Sequence, residues 1–377
     1  MEIPEYGLIV VGGGPAGTAC AITASRSGVS VLLLEKDKLP RHKVCGEFVS
    51  PESLRLLGSL VGETRFASNP EIVSARIFYG PKTICLPIEP FARSIPRFDL
   101  DAALLQAARD SGVHVVERAA VHDVLPGKLF QVQTSAAPVE KTFTARSVVN
   151  ASGRWSQLTQ FPHNEEKWIG LKAHFTEAAP PDSVDLYFFD GGYCGVQAIT
   201  ANAINASAMV RSDLAHSLEE VFSKNSELWR RSRDWEPLFA PIATSPLYFR
   251  RPETNNKGMF LVGDSAGFID PFAGDGISLA LHSGGLAAQS VVEFLQGKRS
   301  LEQAHQQYQT AYSKHLAPAF RNAARIRKLL SAPRFLRSTL LSIAAIKPFS
   351  SALVRRTRVK SNQARDISHE FTRINTN

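Results

Sequence analysis

A strand, a glycine turn and a helix at the amino terminus, a second strand–loop–helix unit beginning near residue 258, and β-rich alternating stretches between them predict an α/β fold. The expected architecture is a Rossmann-type parallel-sheet domain interleaved with an antiparallel β-sheet domain, followed by a helical carboxyl-terminal segment. A chain of 377 residues has room for both domains and a buried core.

The first unit is the apolar, β-branched run from Tyr6 to Val11, the turn Gly12-Gly-Gly-Pro-Ala-Gly17, and a helical pattern from Thr18 onward. Gly12, Gly14 and Gly17 satisfy G-x-G-x-x-G, in which they serve a tight turn, close approach of backbone to a pyrophosphate, and close helix–strand packing. The helix N-terminus adds free N–H groups and a positive dipole end. A second strand, 29–35, ends in Glu35, a carboxylate placed to accept hydrogen bonds from a ribose diol and to repel a 2′-phosphate. The ligand is therefore expected to carry an ADP moiety with a free 2′-hydroxyl, which leaves FAD and NAD both open.

Between the two units, residues 74–79, 83–88, 184–189 and 203–211 alternate or are β-rich and read as strands. The second unit is Gly258-Met-Phe-Leu-Val-Gly-Asp264, a Pro/Gly-rich loop containing Pro271, Gly274 and Gly276, and a helix reaching about residue 294. Asp264 at a strand end suits a polyol hydroxyl, and the helix that follows can stabilise a developing anion. A nicotinamide dehydrogenase needs no such second device. A flavin needs both, for its ribityl chain and its reduced ring.

At this point the sequence resembles the flavoprotein superfamily of para-hydroxybenzoate hydroxylase-like monooxygenases, geranylgeranyl reductases and flavin-dependent halogenases. The resemblance implies FAD, with Gly12, Gly14, Pro15, Ala16, Gly17, Glu35 and Lys36 on its ADP half and Gly263, Asp264, Pro271, Gly274, Gly276 and Ile277 along the ribityl-phosphate and ring. Arg41-His-Lys-Val-Cys45-Gly46-Glu47 is similar to the Lys-x-Cys-Gly segment of the reductase branch, which places Arg41, Cys45 and Gly46 beside the flavin. Arg97 opens a helix similar to the family's Arg-x-x-Leu element, and Gly153 follows a strand that returns to the cofactor. Ser152-Gly153 stands where the hydroxylase branch has Asp-Gly, an aspartate associated with nicotinamide use, so NAD(P)H is a candidate donor that the sequence does not specify. Trp155, Trp168, Trp229 and Trp235 never fall two apart, against the halogenase Trp-x-Trp motif. There is neither a second G-x-G-x-x-G nor a C-x-x-x-x-C redox pair.

The family pattern assigns 1–72, 97–165 and 255–298 to the FAD-binding domain, 73–96 and 166–254 to a substrate sheet roofing the flavin, and 299–377 to a helical basic region. Tyr187, Phe189, Tyr193 and Gln197 are candidate substrate-lining residues. Cys45 is the candidate chemical group. Glu47 is expected to be solvated, and His174 to be a satisfied structural histidine. Three functions are carried forward. The first is a monooxygenase in which reduced FAD and O2 give a C4a-hydroperoxide that oxygenates a hydrophobic or aromatic molecule. The second is a geranylgeranyl reductase-like reductase of carbon–carbon double bonds in a prenyl or polyketide-like lipid. The third is a flavin-binding partner protein without turnover.

Composition narrows the partners. Lys and Arg outnumber Asp and Glu by 43 to 35, but residues 321–377 hold 13 basic residues against Asp366 and Glu370, a net of +11 that leaves the body at −3. A nucleic-acid binder is disfavoured by that asymmetry. The apolar runs Phe335-Leu336 and 340–346, interleaved with Arg334, Arg337 and Lys347, suit an amphipathic helix on an anionic membrane surface or an acidic partner; the alternative is an ordinary helix packed on the body. Four scattered cysteines, no zinc-ligand spacing and no signal peptide or long apolar run predict a cytoplasmic protein with reduced thiols and no metal.

Overall fold

The computed structural model describes residues 5–135, 141–154, 158, 167–249 and 251–330, which form two eight-stranded sheets and eight α-helices among the described residues. The chain opens with β1 (Glu5–Val11), α1 (Pro15–Arg26) and β2 (Val31–Leu34). β1 and β2 pair in parallel, Leu8 beside Val31 and Val11 beside Leu34. Parallel neighbours require a crossover, and α1 supplies it. β3 (Phe48–Val49) and α2 (Pro51–Val61) lead to the hairpin of β4 (Glu71–Tyr79) and β5 (Lys82–Ser94), and α3 (Arg97–Asp110) returns to the first sheet. There β6 (His114–Val116), β7 (Ala120–Leu125), β8 (Phe130–Ser135) and β9 (Lys141–Asn150) follow.

The chain then builds the second sheet from β10 (Trp168–Thr176), β11 (Ser183–Phe189), β12 (Gly192–Thr200), β13 (Ala203–Arg211) and, after the short helices α4 (Leu218–Phe222) and α5 (Ser226–Arg231), β14 (Ile242–Leu247). β15 (Asn255–Asn256) and β16 (Met259–Leu261) rejoin the first sheet, and α6 (Gly276–Leu295), α7 (Leu301–His315) and α8 (Ala317–Leu330) complete the described chain.

The first sheet runs β15-β16-β9-β1-β2-β6, with β8 and then β7 attached through β9; the second runs β14-β10-β13-β12-β11-β4-β5-β3. The expected interleaving of a parallel and a second sheet is present. Two details differ from expectation. The second sheet is mixed, because β11 pairs in parallel with β4, Val184 beside Ala75, where its two separately built halves meet edge to edge. It also starts earlier than residue 73: β4 begins at Glu71, and the two-residue β3, too short to show any periodicity, pairs with Arg93 and Ser94.

The main core lies between the first sheet and α1, α3 and α6, with Leu8, Val10, Ile22, Leu104 and Leu281 fully buried. α7 starts from a capping box between Ser300 and Gln303. It buries Tyr308, whose hydroxyl donates to Leu261 O at 2.8 Å, and so fastens the carboxyl-terminal helices to β16. The start of the basic region therefore packs on the body. The candidate amphipathic stretch 334–347 lies outside the described residues. Among the described residues no helix is long and apolar enough to cross a membrane.

Candidate functional site: a nucleotide cradle beneath an apolar sheet

The turn after β1 has the geometry its glycines allow. Gly12 sits at φ +109°, and a Cβ there would overlap the Ala151 carbonyl; a Cβ on Gly17 would overlap the carbonyl of Gly12. Around Gly14 the nearest heavy atom to an added Cβ is Arg97 Nη2 at 4.0 Å, so this glycine faces an open groove. Gly14 is also the N-cap of α1 and offers no side-chain cap, leaving the helix amides directed at that space. Glu35 follows β2, is 5% exposed, and accepts from Gly13 N at 2.7 Å through Oε2 and from Asp37 N at 3.0 Å through Oε1. Lone pairs remain on both oxygens.

The opposite rim is formed by Gly153, Gly263, Asp264, Pro271, Gly274, Gly276 and Ile277, which share one cavity of about 1010 Å³ with Gly12, Gly14, Pro15, Ala16, Glu35, Lys36, Arg41, Cys45, Gly46 and Arg97. Thus of the candidate cofactor residues only Gly17 lies off the cavity, packing α1 against the turn. α6 begins at Gly276 with no side-chain cap from Asp275, a second uncapped helix start on the same cavity. Asp264 lies 3.4 Å from Arg154, whose guanidinium stacks 4.1 Å from the Phe268 ring centroid. Two uncapped helix N-termini, an open glycine turn and a carboxylate at the end of β2 fit an ADP-containing cofactor, and the carboxylate of Asp264, placed for a ribityl chain, fits a flavin.

The segment 41–47 packs between the cradle and the second sheet, and here the solvated carboxylate expected at position 47 must be corrected. Glu47 is fully buried at φ +61°, and its carboxylate accepts from Lys172 Nζ, from His174 Nε2 at 2.8 Å and from Arg97 N at 2.7 Å. Burial pushes its carboxyl up, but the His174 hydrogen bond and the Lys172 charge outweigh this and hold it below the usual range. Lys172 and His174 lie two apart on β10, so strand alternation puts both on the face that meets segment 41–47. His174 is a satisfied histidine, as expected, yet it is an ion-pair partner and not an isolated core ring. His42 stacks on Phe239 with centroids 3.9 Å apart and meets His174 edge-on at 5.3 Å.

A second buried cluster holds Arg97. Asp101 is fully buried and bridges Arg97, at 2.8 Å to both oxygens, and Lys43 at 2.7 Å. Burial opposes the Asp101 charge, but the two cations hold its carboxyl below the usual range. Cys45 lies close enough to Arg97 to act on its charge, and its Sγ accepts from Glu47 N at 3.3 Å. Cys45 thus faces the cavity among fixed donors.

The second sheet roofs this space. Ala75 and Ile77 on β4, Leu86 and Ile88 on β5, Val184, Leu186 and Phe188 on β11, and Met209 on β13 line the cavity. Of the four candidate substrate-lining residues, Tyr193 and Gln197 on β12 face it. Tyr187 and Phe189 do not, and are corrected to core: they point to the other face, where Tyr187 stacks on Phe78 and receives a hydrogen bond from Arg231 Nη1 at 3.0 Å, and Phe189 packs in the cluster with Leu218, Phe222 and Leu228. The expected alternation is present on β11, but with the two faces exchanged. Nothing in an all-apolar alternating run says which face meets the cofactor. Lys172, Arg154 and His42 escape a reading of motifs; the polar pair Lys172 and His174 at i, i+2 in an otherwise apolar strand is the available signal.

Fold and site together define a flavin-type dinucleotide-binding oxidoreductase in which a mixed sheet closes the cofactor groove. The chain belongs to the pyridine nucleotide-disulphide oxidoreductase family, which matches residues 6–221. It is 25% identical over 368 residues to a menaquinone reductase of Mycolicibacterium smegmatis, covering 88% of this chain and 86% of that one. In structure it is similar to a geranylgeranyl bacteriochlorophyll reductase-like protein from Thermoplasma acidophilum, with a TM-score of 0.79 at 20% identity over 99% and 100% of the two chains. It is also similar to a flavin-dependent brominase, with a TM-score of 0.78 at 20% identity over 98% and 100%. The chain is an oxidoreductase of FAD-dependent type, within the superfamily that its motifs resemble.

Proposed function

We propose that the protein reduces a carbon–carbon double bond in an elongated apolar molecule of prenyl or related lipid type. The observation that carries this reading is the largely apolar roof of the cavity, which includes Ile88, Leu186 and Met209 and shares the space of the cofactor cradle. Bound FAD, once reduced, supplies the hydride equivalent for such chemistry. The protein's part is to bind the chain, exclude water and deliver a proton. Tyr193 is placed to deliver that proton, since its hydroxyl is buried, faces the cavity and has no hydrogen-bond partner among the described residues. Burial, with the nearby Asp270 charge, holds the phenol well above its usual range. The likeness to a menaquinone reductase supports a reductive reading.

Oxygenation of an apolar molecule, the first reading from sequence, would use the same cavity. The elongated apolar lining favours reduction of a lipid chain, and the products with and without oxygen separate the two readings. The test is single turnover without oxygen. FAD-loaded protein reduced by dithionite is mixed with farnesol, and reoxidation of the flavin with a product two hydrogens heavier is expected. Tyr193→Phe should slow that step about 10²-fold, the ordinary worth of a positioned proton donor. A hydroxylated product formed only when oxygen is admitted would replace this reading with the monooxygenase one, and no product in either case would leave a flavin-binding protein without turnover.

A further inference from the structure

The wall formed by β12 carries a second orphaned polar atom. Gln197 is 2% exposed, its Nε2 donates to Ser94 Oγ at 2.6 Å, and its Oε1 has no hydrogen-bond partner among the described residues while the residue lines the cavity. A buried carbonyl left unpaired costs about 1–3 kcal/mol, which an apolar residue at this position would avoid. Its cross-strand neighbour Asn205 cannot satisfy it, because the Asn205 Nδ2 group is spent on Cys45 O at 3.1 Å and Gly46 O at 2.9 Å. Those two bonds also tie this end of the sheet to the Cys45–Gly46 turn of the cofactor cradle.

From Gln197 the wall runs toward Tyr193, four residues and roughly 13 Å along the strand. Midway stands Gly195, where an added Cβ would meet only Leu186 Cδ2 at 3.4 Å and Ser207 O at 3.7 Å. The missing side chain leaves a trough floored by Gly195 and flanked by Leu186 and Ser207, all of which line the cavity. The trough has an apolar floor and an apolar flank in Gly195 and Leu186, Ser207 on the other side, and a fixed hydrogen-bond acceptor at one end.

We propose that this trough recognises a hydroxyl head group: Gln197 Oε1 accepts the hydroxyl hydrogen of a long-chain alcohol or phenol whose apolar body lies along β12 over Gly195. The proposal rests on the cavity being the substrate site and adds the polar chemistry of the substrate.

The test measures equilibrium binding to FAD-loaded protein from the visible spectrum of the flavin, using farnesol and farnesyl methyl ether as probes. The two share the same chain and differ in the donor hydrogen. Wild type should bind farnesol about tenfold or more tightly than the ether, since a polar group built to pair with a hydroxyl discriminates against an analogue that cannot donate. Gln197→Met should bring the two affinities together, chiefly by weakening farnesol, and Gly195→Val should weaken both. Equal binding of the probes by wild type, or a preference for farnesol that survives Gln197→Met, overturns the proposal. So does loss of FAD from purified Gln197→Met, because the carbonyl would then belong to the cofactor. Failure of both probes to bind the FAD-loaded wild type overturns the cavity reading itself.

Discussion

Glu47 gathers donors from three elements, Lys172 and His174 on β10 and the first amide of α3, onto one buried carboxylate. Removing its charge leaves Lys172 as an uncompensated, fully buried cation. Glu47→Gln is expected to destabilise the protein by about 3 kcal/mol, and a denaturant titration of the FAD-loaded form will measure it. A second residue-scale prediction concerns the phosphate cradle. Gly14 faces open space, and Gly14→Val would fill that space with two methyl groups; the purified variant should be colourless, and a yellow, stoichiometrically loaded protein would refute the cradle. Both positions lie in motifs visible in the sequence, but they are legible to different degrees. Gly14 declares itself because its neighbours in the chain form the motif. Glu47 does not, because its partners come from residues 97, 172 and 174, and only the fold brings them together.

At the scale of the element, β11 and β12 divide one sheet into a face toward the cofactor and a face toward α4 and α5. Phe188 and Phe189 are adjacent in sequence and belong to different environments, the first on the cavity and the second in the outer core. Phe189→Ala should lower stability by about 3–4 kcal/mol with little effect on farnesol affinity, as expected for a large deletion in a packed core. Phe188→Ala should cost about 1 kcal/mol and weaken farnesol binding several-fold, so paired melting and binding measurements separate the two faces. The strands at 74–79, 83–88, 184–189 and 203–211 are readable from alternation or β-rich composition, and so is the helix after Pro271. The phase of β11 is not, because Leu186, Tyr187, Phe188 and Phe189 are all large and apolar. The two-residue β3 and the parallel seam between β4 and β11 are equally silent, since pairing between distant segments leaves no local pattern.

For the whole molecule, the buried carboxylates predict how acid acts. Glu47 and Asp101 are both held below their ordinary values of 4.5 and 3.8, so the stability they confer is present at neutral pH and is lost as pH falls beneath those values toward the depressed ones. The melting temperature should begin to fall below about pH 6.5, where the histidines His42, His282 and His305, held neutral by burial, take up protons more readily in the unfolded chain, and should fall more steeply in the carboxylate range, with FAD released there because both carboxylates brace segment 41–47 and α3 at the cradle. Glu47→Gln should start lower and show a shallower acid limb. The interleaving of the two sheets also bears on how the molecule is made. The groove draws on Gly12 near the beginning of the chain, Arg97 and Gly153 in its middle, and Gly263 and Ile277 far downstream. A polypeptide still emerging from the ribosome therefore exposes its glycine turn long before the opposite rim exists, and the vitamin-derived ligand can be enclosed only once synthesis has passed α6. The cradle is thus completed late in the order of the chain, by residues that follow its glycine turn at a distance of about 250 positions.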